Sequence, residues 1–150
     1  MKYEAENLRD ILEELEPLLK EHWEEVAWYK DKIKLKPDYE KYLGMEDQDK
    51  LLVTTARDNG KLVGYNVNFI AEHFHYSDHV YAVNDIIFVH PDYRHREVSA
   101  ELINYTEELL KWKGVSVITL HMKPEHAFES LAKYCGFAKQ EYVYSKYIGD

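Results

Sequence analysis

VNDIIFVHPDYRHREVSAELI, residues 83–103, reads as an apolar strand passing through a tight turn into a helix. Val80 to Val89 is apolar on both alternating sets apart from Asn84 and Asp85, the pattern of a strand covered on both faces. His90-Pro91-Asp92-Tyr93 ends it. Leu102, Ile103, Thr106, Leu109 and Leu110 then follow helical spacing, and Lys113-Gly114 supplies a basic last turn with a glycine stop. This arrangement sets the first N–H groups of the helix, and the positive end of its dipole, at the carboxyl end of the strand, where an anion can bind. The turn adds Arg94 and Arg96 with His95 between them. Cations at a helix start oppose the dipole. Either an external anion resolves this, or the arginines face solvent or pair with Asp92, Glu97 or Glu101; both readings stand on the sequence.

Working outward, Val115 to Met122 reads as a further strand, Pro124 opens a helix to about Tyr134 that Gly136 stops, and Tyr142 to Tyr147 reads as a final strand. Upstream, Leu51, Val53 and Thr55 alternate before Asp58-Asn59-Gly60-Lys61, and Val63, Tyr65, Val67 and Phe69 alternate after it. Alternation about Asn-Gly predicts an antiparallel hairpin, because both turn residues must accept positive φ. His73 to His79 is expected to be a polar connection. Residues 30–50 read as a loop with a short helix near Tyr39 to Leu43. Leu8, Ile11, Leu12, Leu15, Leu18, Leu19, Trp23 and Val26 form a helical stripe, with Pro17 predicting two helices or one bent helix. The expected fold is one α/β (α+β) domain over 1–150: a mixed sheet with helices on both faces.

A chain of 150 residues suits one core. No apolar run approaches the roughly 18 residues of a membrane span, and the charged start MKYEAENLRDILEELE is unlike a secretory signal, so a cytoplasmic location is expected. The net charge of −9 argues against nucleic acid as a partner. Residues 1–26 hold nine acids and three bases, a surface that would favour cationic amines if it bordered a cleft and is otherwise a solvated helix face. Cys135 is the single cysteine and reads as a packed thiol. His73, His75 and His79 have no recognised ligand spacing with acids or sulfur, so no metal is expected.

Val89, Pro91, Tyr93 and Arg94 match a pattern of hydrophobic strand, V-x-P-x-Y-R and Gln/Arg-x-x-Gly-x-Gly/Ala helix start; in this the chain resembles the GNAT acyl-CoA-dependent N-acetyltransferases. Tyr134-Cys135-Gly136-Phe137 is similar to the Gly-Phe that closes that family's last helix. The resemblance, from about Leu51 to Tyr147, implies a mostly antiparallel twisted sheet and acetyl-CoA as co-substrate. It implies that Arg94, His95, Arg96, Glu97, Val98, Ser99 and Ala100 surround the pyrophosphate, and that Ile87, Phe88 and Val89 pair with the pantetheine arm. It also implies that Trp23, Glu24, Glu25 and Trp28 line the acceptor side, for a cationic small-molecule or protein amine; core packing is the alternative for such aromatics. Two glycines of the pattern fall on Glu97 and Ser99. A carboxylate about 5 Å from a phosphate charge costs about 3 kcal/mol at an effective dielectric of ~20.

Asp85 stands where some members of the family carry a general-base Glu, and burial would raise its pKa toward a useful range. A structural carboxylate is the competing role. The family's thiolate-protonating Tyr falls on Ala132, so His121 is the substitute donor considered, against a satisfied histidine at a strand end. The rival reading is a GNAT-like acyl-CoA-binding protein without turnover that acts through a homodimer surface.

Overall fold

The computed structural model describes residues 1–150, the side chain of Arg96 excepted. Five strands, β1 (Lys2–Ala5), β2 (Leu51–Asp58), β3 (Lys61–His73), β4 (Tyr76–Val89) and β5 (Val115–Thr119), form one sheet in sequential order. The first three pairings are antiparallel and β4–β5 is parallel, because the helix α3 (Arg96–Trp112) carries the chain back between them. One face is covered by α1 (Leu8–Val26) and α2 (Tyr39–Asp47): Leu8, Ile11, Leu15 and Leu18 pack on Leu51, Val53, Tyr65, Val67 and Phe88. The other is covered by α3, where Val98 and Leu102 meet Ala56, Val63 and Val89, and Leu110 meets Leu52, Ile70 and Ala82. A short α4 (Glu129–Tyr134) follows β5. The mixed, mostly antiparallel sheet with helices on both faces is the architecture expected from the sequence.

The β2–β3 turn has Asn59 at φ 49° and Gly60 at φ 87°, the conformation that the Asn-Gly pair predicts. Of the two alternatives at Pro17, one helix and not two is found: α1 is continuous through it, with its apolar face buried on both sides of the proline while Glu13 and Pro17 are exposed. Four other expectations need correction. The segment His73 to His79 is not a connection but the end of a long hairpin, closed by Phe74 and His75 with His73 opposite Tyr76. β5 ends at Thr119 rather than Met122. Pro124 opens only a single 3₁₀ turn, Pro124–His126, separate from α4. Tyr142 to Tyr147 forms no strand, since β propensity needs a partner backbone and none lies beside it. In addition, β1 escapes sequence reading because two of its four residues are charged and none is buried; its pairing with Arg57 to Thr54 makes it a strand.

Candidate active site

The strand that decides the fold also forks. β4 pairs with β5 only from Val80 to Val83, while Asn84 to Val89 pair with β3 alone. Beyond Val83 the backbone edge of β4 that faces β5 is therefore open. The register with β3 steps from Val67↔Ile86 to Asn68↔Asn84, which leaves Asp85 as the extra residue of a β-bulge. Bulges re-aim side chains. Here Asn84 turns to the α3 face, where it is 2 % exposed and donates to Asn66 Oδ1 at 2.7 Å in a buried network with Asn68, Thr54 and Thr106. Ile86 and Phe88 pack on the α1–α2 side. Asp85 turns to that side as well, where the Tyr42 hydroxyl donates to its Oδ2 at 2.6 Å.

Burial pushes the Asp85 carboxyl above the ordinary carboxylate range, opposed by the Tyr42 hydrogen bond and by the nearby charge of His121. His121 itself is exposed and lies just past the end of β5. Tyr42 also lines an apolar cavity of 590 Å³ with Met45 and Phe69. Sequence reasoning missed Tyr42, and no local signal marks it.

At the far end of β4 the chain makes a 3₁₀ turn, Pro91–Tyr93, and enters α3 with His95 as the residue before the helix. The His95 side chain makes no capping hydrogen bond to this helix start. Val98 and Ala100 are buried against the sheet, Ser99 is half-buried, and His95 and Glu97 are exposed. Glu97 therefore does not fill the loop from within. The Arg96 side chain lies outside the described residues.

Arg94 has a partner that the sequence did not point to. Its Nε donates to the Val89 carbonyl at 2.7 Å, and its two Nη atoms donate to both carboxylate oxygens of Glu25 at 2.8 and 2.6 Å. The guanidinium lies 5.2 Å from the Phe88 ring. The Arg94 hydrogen bonds hold the Glu25 carboxyl below its usual range. The pair ties the last turn of α1 to the turn after β4, so an anion arriving at Arg94 competes with Glu25.

His22 is the second residue that sequence reasoning passed over. It sits four residues after Leu18 on the apolar stripe of α1, which is the signal that could have found it. Its Nδ1 is 2.8 Å from the Tyr65 hydroxyl and its ring stacks on Phe88 at 5.0 Å. Burial pushes its pKa down to about 4, so it is neutral at pH 7. Of the other acceptor-side residues, Trp23 is half-buried with Lys30 at 5.9 Å from its ring, and Trp28 is exposed with Lys123 at 5.4 Å. Glu24 is exposed beside Lys30. His73 stacks with Tyr76 and Tyr81 at 4.9 and 4.5 Å, and among the described residues no three His, Cys, Asp or Glu side chains gather as a metal site.

The fork, the bulge and the uncapped helix start coincide with the sequence pattern, and the sequence model of the acetyltransferase (GNAT) family matches residues 8–137. The chain belongs to the GNAT acetyltransferase family. No curated protein sequence matches it. Among solved structures, a GNAT-like relative is an aminoglycoside acetyltransferase from an uncultured soil metagenomic sample, in complex with sisomicin. It shares 18 % identity at a TM-score of 0.77, over 99 % of this chain and 96 % of that one. An aminoglycoside N-acetyltransferase in complex with CoA shares 18 % identity at a TM-score of 0.74, over 99 % and 100 %. A ribosomal-protein-alanine N-acetyltransferase from Brucella melitensis shares 20 % identity at a TM-score of 0.71, over 99 % and 100 %. These likenesses bear on the fold. No helix among the described residues is long and apolar enough to cross a membrane.

Proposed function

We propose that this GNAT protein is a cytoplasmic N-acetyltransferase that moves an acetyl group from acetyl-CoA to the primary amine of a cationic acceptor. The observation that carries this reading is the open edge of β4 from Asn84 to Val89, with the bulged Asp85 at one end and the uncapped start of α3 at the other. The residues present fit the co-substrate. The backbone of Ile87, Phe88 and Val89 offers donors and acceptors to an amide-bearing arm, and the amides at the start of α3 with Arg94 receive a pyrophosphate. Acetyl-CoA supplies the activated acyl group as a thioester. Asp85, whose pKa burial raises and whose carboxylate Tyr42 orients, takes in its ionised form the proton that the acceptor ammonium must lose before its nitrogen can attack. His121, exposed near Asp85, is the group proposed to return a proton to the departing sulfur.

A second reading, acyl-CoA binding without turnover, is favoured by two observations. Ala132, where the family pattern has its Tyr, is 7 % exposed inside α4, and Arg94 is already engaged by Glu25. Calorimetric titration with acetyl-CoA, repeated with Arg94→Ala, tests the donor site, and thiol release across a panel of amines tests turnover. Micromolar binding weakened at least tenfold by the substitution, with amine-dependent thiol release, is the expected result. Absence of binding at millimolar acetyl-CoA overturns both readings. Binding without release for any amine supports the second.

A further inference from the structure

Three oxygens converge on the side-chain nitrogen of Asn84, the residue that precedes the bulge. Its Nδ2 donates to Asn66 Oδ1 at 2.7 Å, to the Val67 carbonyl at 3.1 Å and to the Ile86 carbonyl at 3.3 Å. Two of these acceptors flank the extra residue. Val67 and Ile86 face each other across the strands immediately before the register steps to Asn68↔Asn84. A bulge interrupts the ladder where its additional residue stands. One amide therefore spans the interruption, bonded to a carbonyl of each strand.

The rest of the buried network fixes which way this amide faces. Thr106 Oγ1 donates to the Leu102 carbonyl at 2.7 Å, which uses the one proton of that hydroxyl. Thr54, 2.6 Å away, must then donate to Thr106, and Asn66 Nδ2 donates to the same oxygen at 3.1 Å. With its nitrogen so committed, Asn66 turns Oδ1 toward Asn68 and Asn84, which both donate to it. Turning the Asn84 amide over would set an oxygen against three acceptors. Only a donor fits there, and all five residues of the network are at most 3 % exposed, where an unpaired polar group is costly.

We propose that Asn84 is a positioning residue: its amide clamps the bulge and thereby holds Asp85 on the α1–α2 side, against the Tyr42 hydroxyl. Asp85 has no partner in the β3 register and the β5 pairing ends at Val83, so neither neighbouring strand fixes it. The Asn84 side chain lies on the opposite face of the sheet and acts through the backbone. Its consequence for acetyl transfer rests on the base role of Asp85; the clamp itself does not.

A double-mutant cycle on the full chain tests the clamp without any substrate. Tyr42→Phe should lower the urea midpoint of the wild type, because it strips the buried Asp85 carboxylate of a donor. It should leave the midpoint of Asn84→Ala unchanged, because there Asp85 has already left Tyr42. Asn84→Ser has one proton for three acceptors, carries the same prediction and serves if the alanine chain does not fold. Thr54→Val is the control, since it removes a hydroxyl from the network but no bond to the bulge; in its background Tyr42→Phe should cost what it costs in the wild type. In steady-state kinetics Asn84→Ala should lower kcat about tenfold or more with KM for acetyl-CoA within about twofold, and Thr54→Val should leave both within about twofold. Equal cost of Tyr42→Phe in the wild type and in the Asn84 variant overturns the clamp. So does a kcat that falls in Asp85→Asn but not in the Asn84 variant. Coupling in the cycle with kcat untouched in both Asp85→Asn and the Asn84 variant supports the clamp and removes the base role from Asp85.

Discussion

Asp85 concentrates the chemistry into one carboxylate whose surroundings work against its charge. Burial raises its pKa, and the Tyr42 hydrogen bond and the nearby charge of His121 oppose that rise. A base must be ionised to act, so the rate should rise with pH through this raised value, above the ordinary aspartate figure of about 3.9. The same shift has a stability consequence of definite sign. A carboxyl whose folded pKa is raised binds its proton more tightly in the native state than in the unfolded chain. Stability is therefore greatest below the ordinary value and falls as pH climbs through the raised one. Asp85→Asn keeps an acceptor for Tyr42 and removes the charge. It should lower kcat by about 10²-fold, erase the acidic limb of the pH–rate profile, and raise Tm at pH 7. Unchanged kcat would return Asp85 to the role of a structural carboxylate. His22 follows the opposite logic, since burial keeps it neutral and its value is the bond to Tyr65.

Among the elements, β3 and β4 bear the most on the site, and one glycine sets how closely they lie. Gly64 faces Val89 in the register, and a Cβ placed on it would stand 3.0 Å from the Phe88 carbonyl oxygen and 3.1 Å from Val89 Cγ2. The Phe88 contact is with backbone, which cannot swing aside as a side chain can. Gly64→Ala must therefore push the end of β4 outward by a few tenths of an ångström. The Val89 carbonyl that orients Arg94 moves with it. A loss of about 1–3 kcal/mol in urea unfolding is expected, as for other overpacked sites, together with weaker acetyl-CoA binding in calorimetry. Loss of stability with unchanged affinity would show that the donor site does not depend on this spacing. The same scale explains which elements the sequence discloses. The Asn59-Gly60 turn and the α3 stop at Gly114 are local, set by positive φ at named residues, and both stand where they are expected. The choice between one helix and two at Pro17, and the failure of the strand expected at Tyr142–Tyr147, were not legible locally, because burial in one case and a partner strand in the other are decided by residues far along the chain.

Across the whole molecule the site is assembled from distant pieces, and this determines how much of it the sequence could disclose. Asp85 was legible as the one acid in an apolar strand, and Arg94 as a cation at a helix start. Their partners were not, because Tyr42 lies 43 residues from Asp85 and Glu25 lies 69 residues from Arg94. Glu25 also shows how the uneven charge of the chain meets the site. Residues 1–26 carry nine acids against three bases, and the helix they form ends beside Arg94. An anion that takes Arg94 leaves the Glu25 carboxylate without its partner, next to exposed Glu24 and half-exposed aromatic rings, so the α1 end becomes more negative as the donor binds. A cationic acceptor would be drawn to that surface and a neutral one would not. Screening at 0.15 M salt extends over about 8 Å, so the attraction is sensitive to ionic strength. Once an acceptor amine is found, raising salt from about 20 to 200 mM should lower kcat/KM for a diamine several-fold. For a monoamine presented without further positive charge it should change by less than about twofold. Glu24→Gln/Glu25→Gln should flatten the diamine dependence and leave that of the monoamine as it was. Equal salt dependence for both amines would mean that the acidic helix is a solvated face and that the acceptor enters from another side.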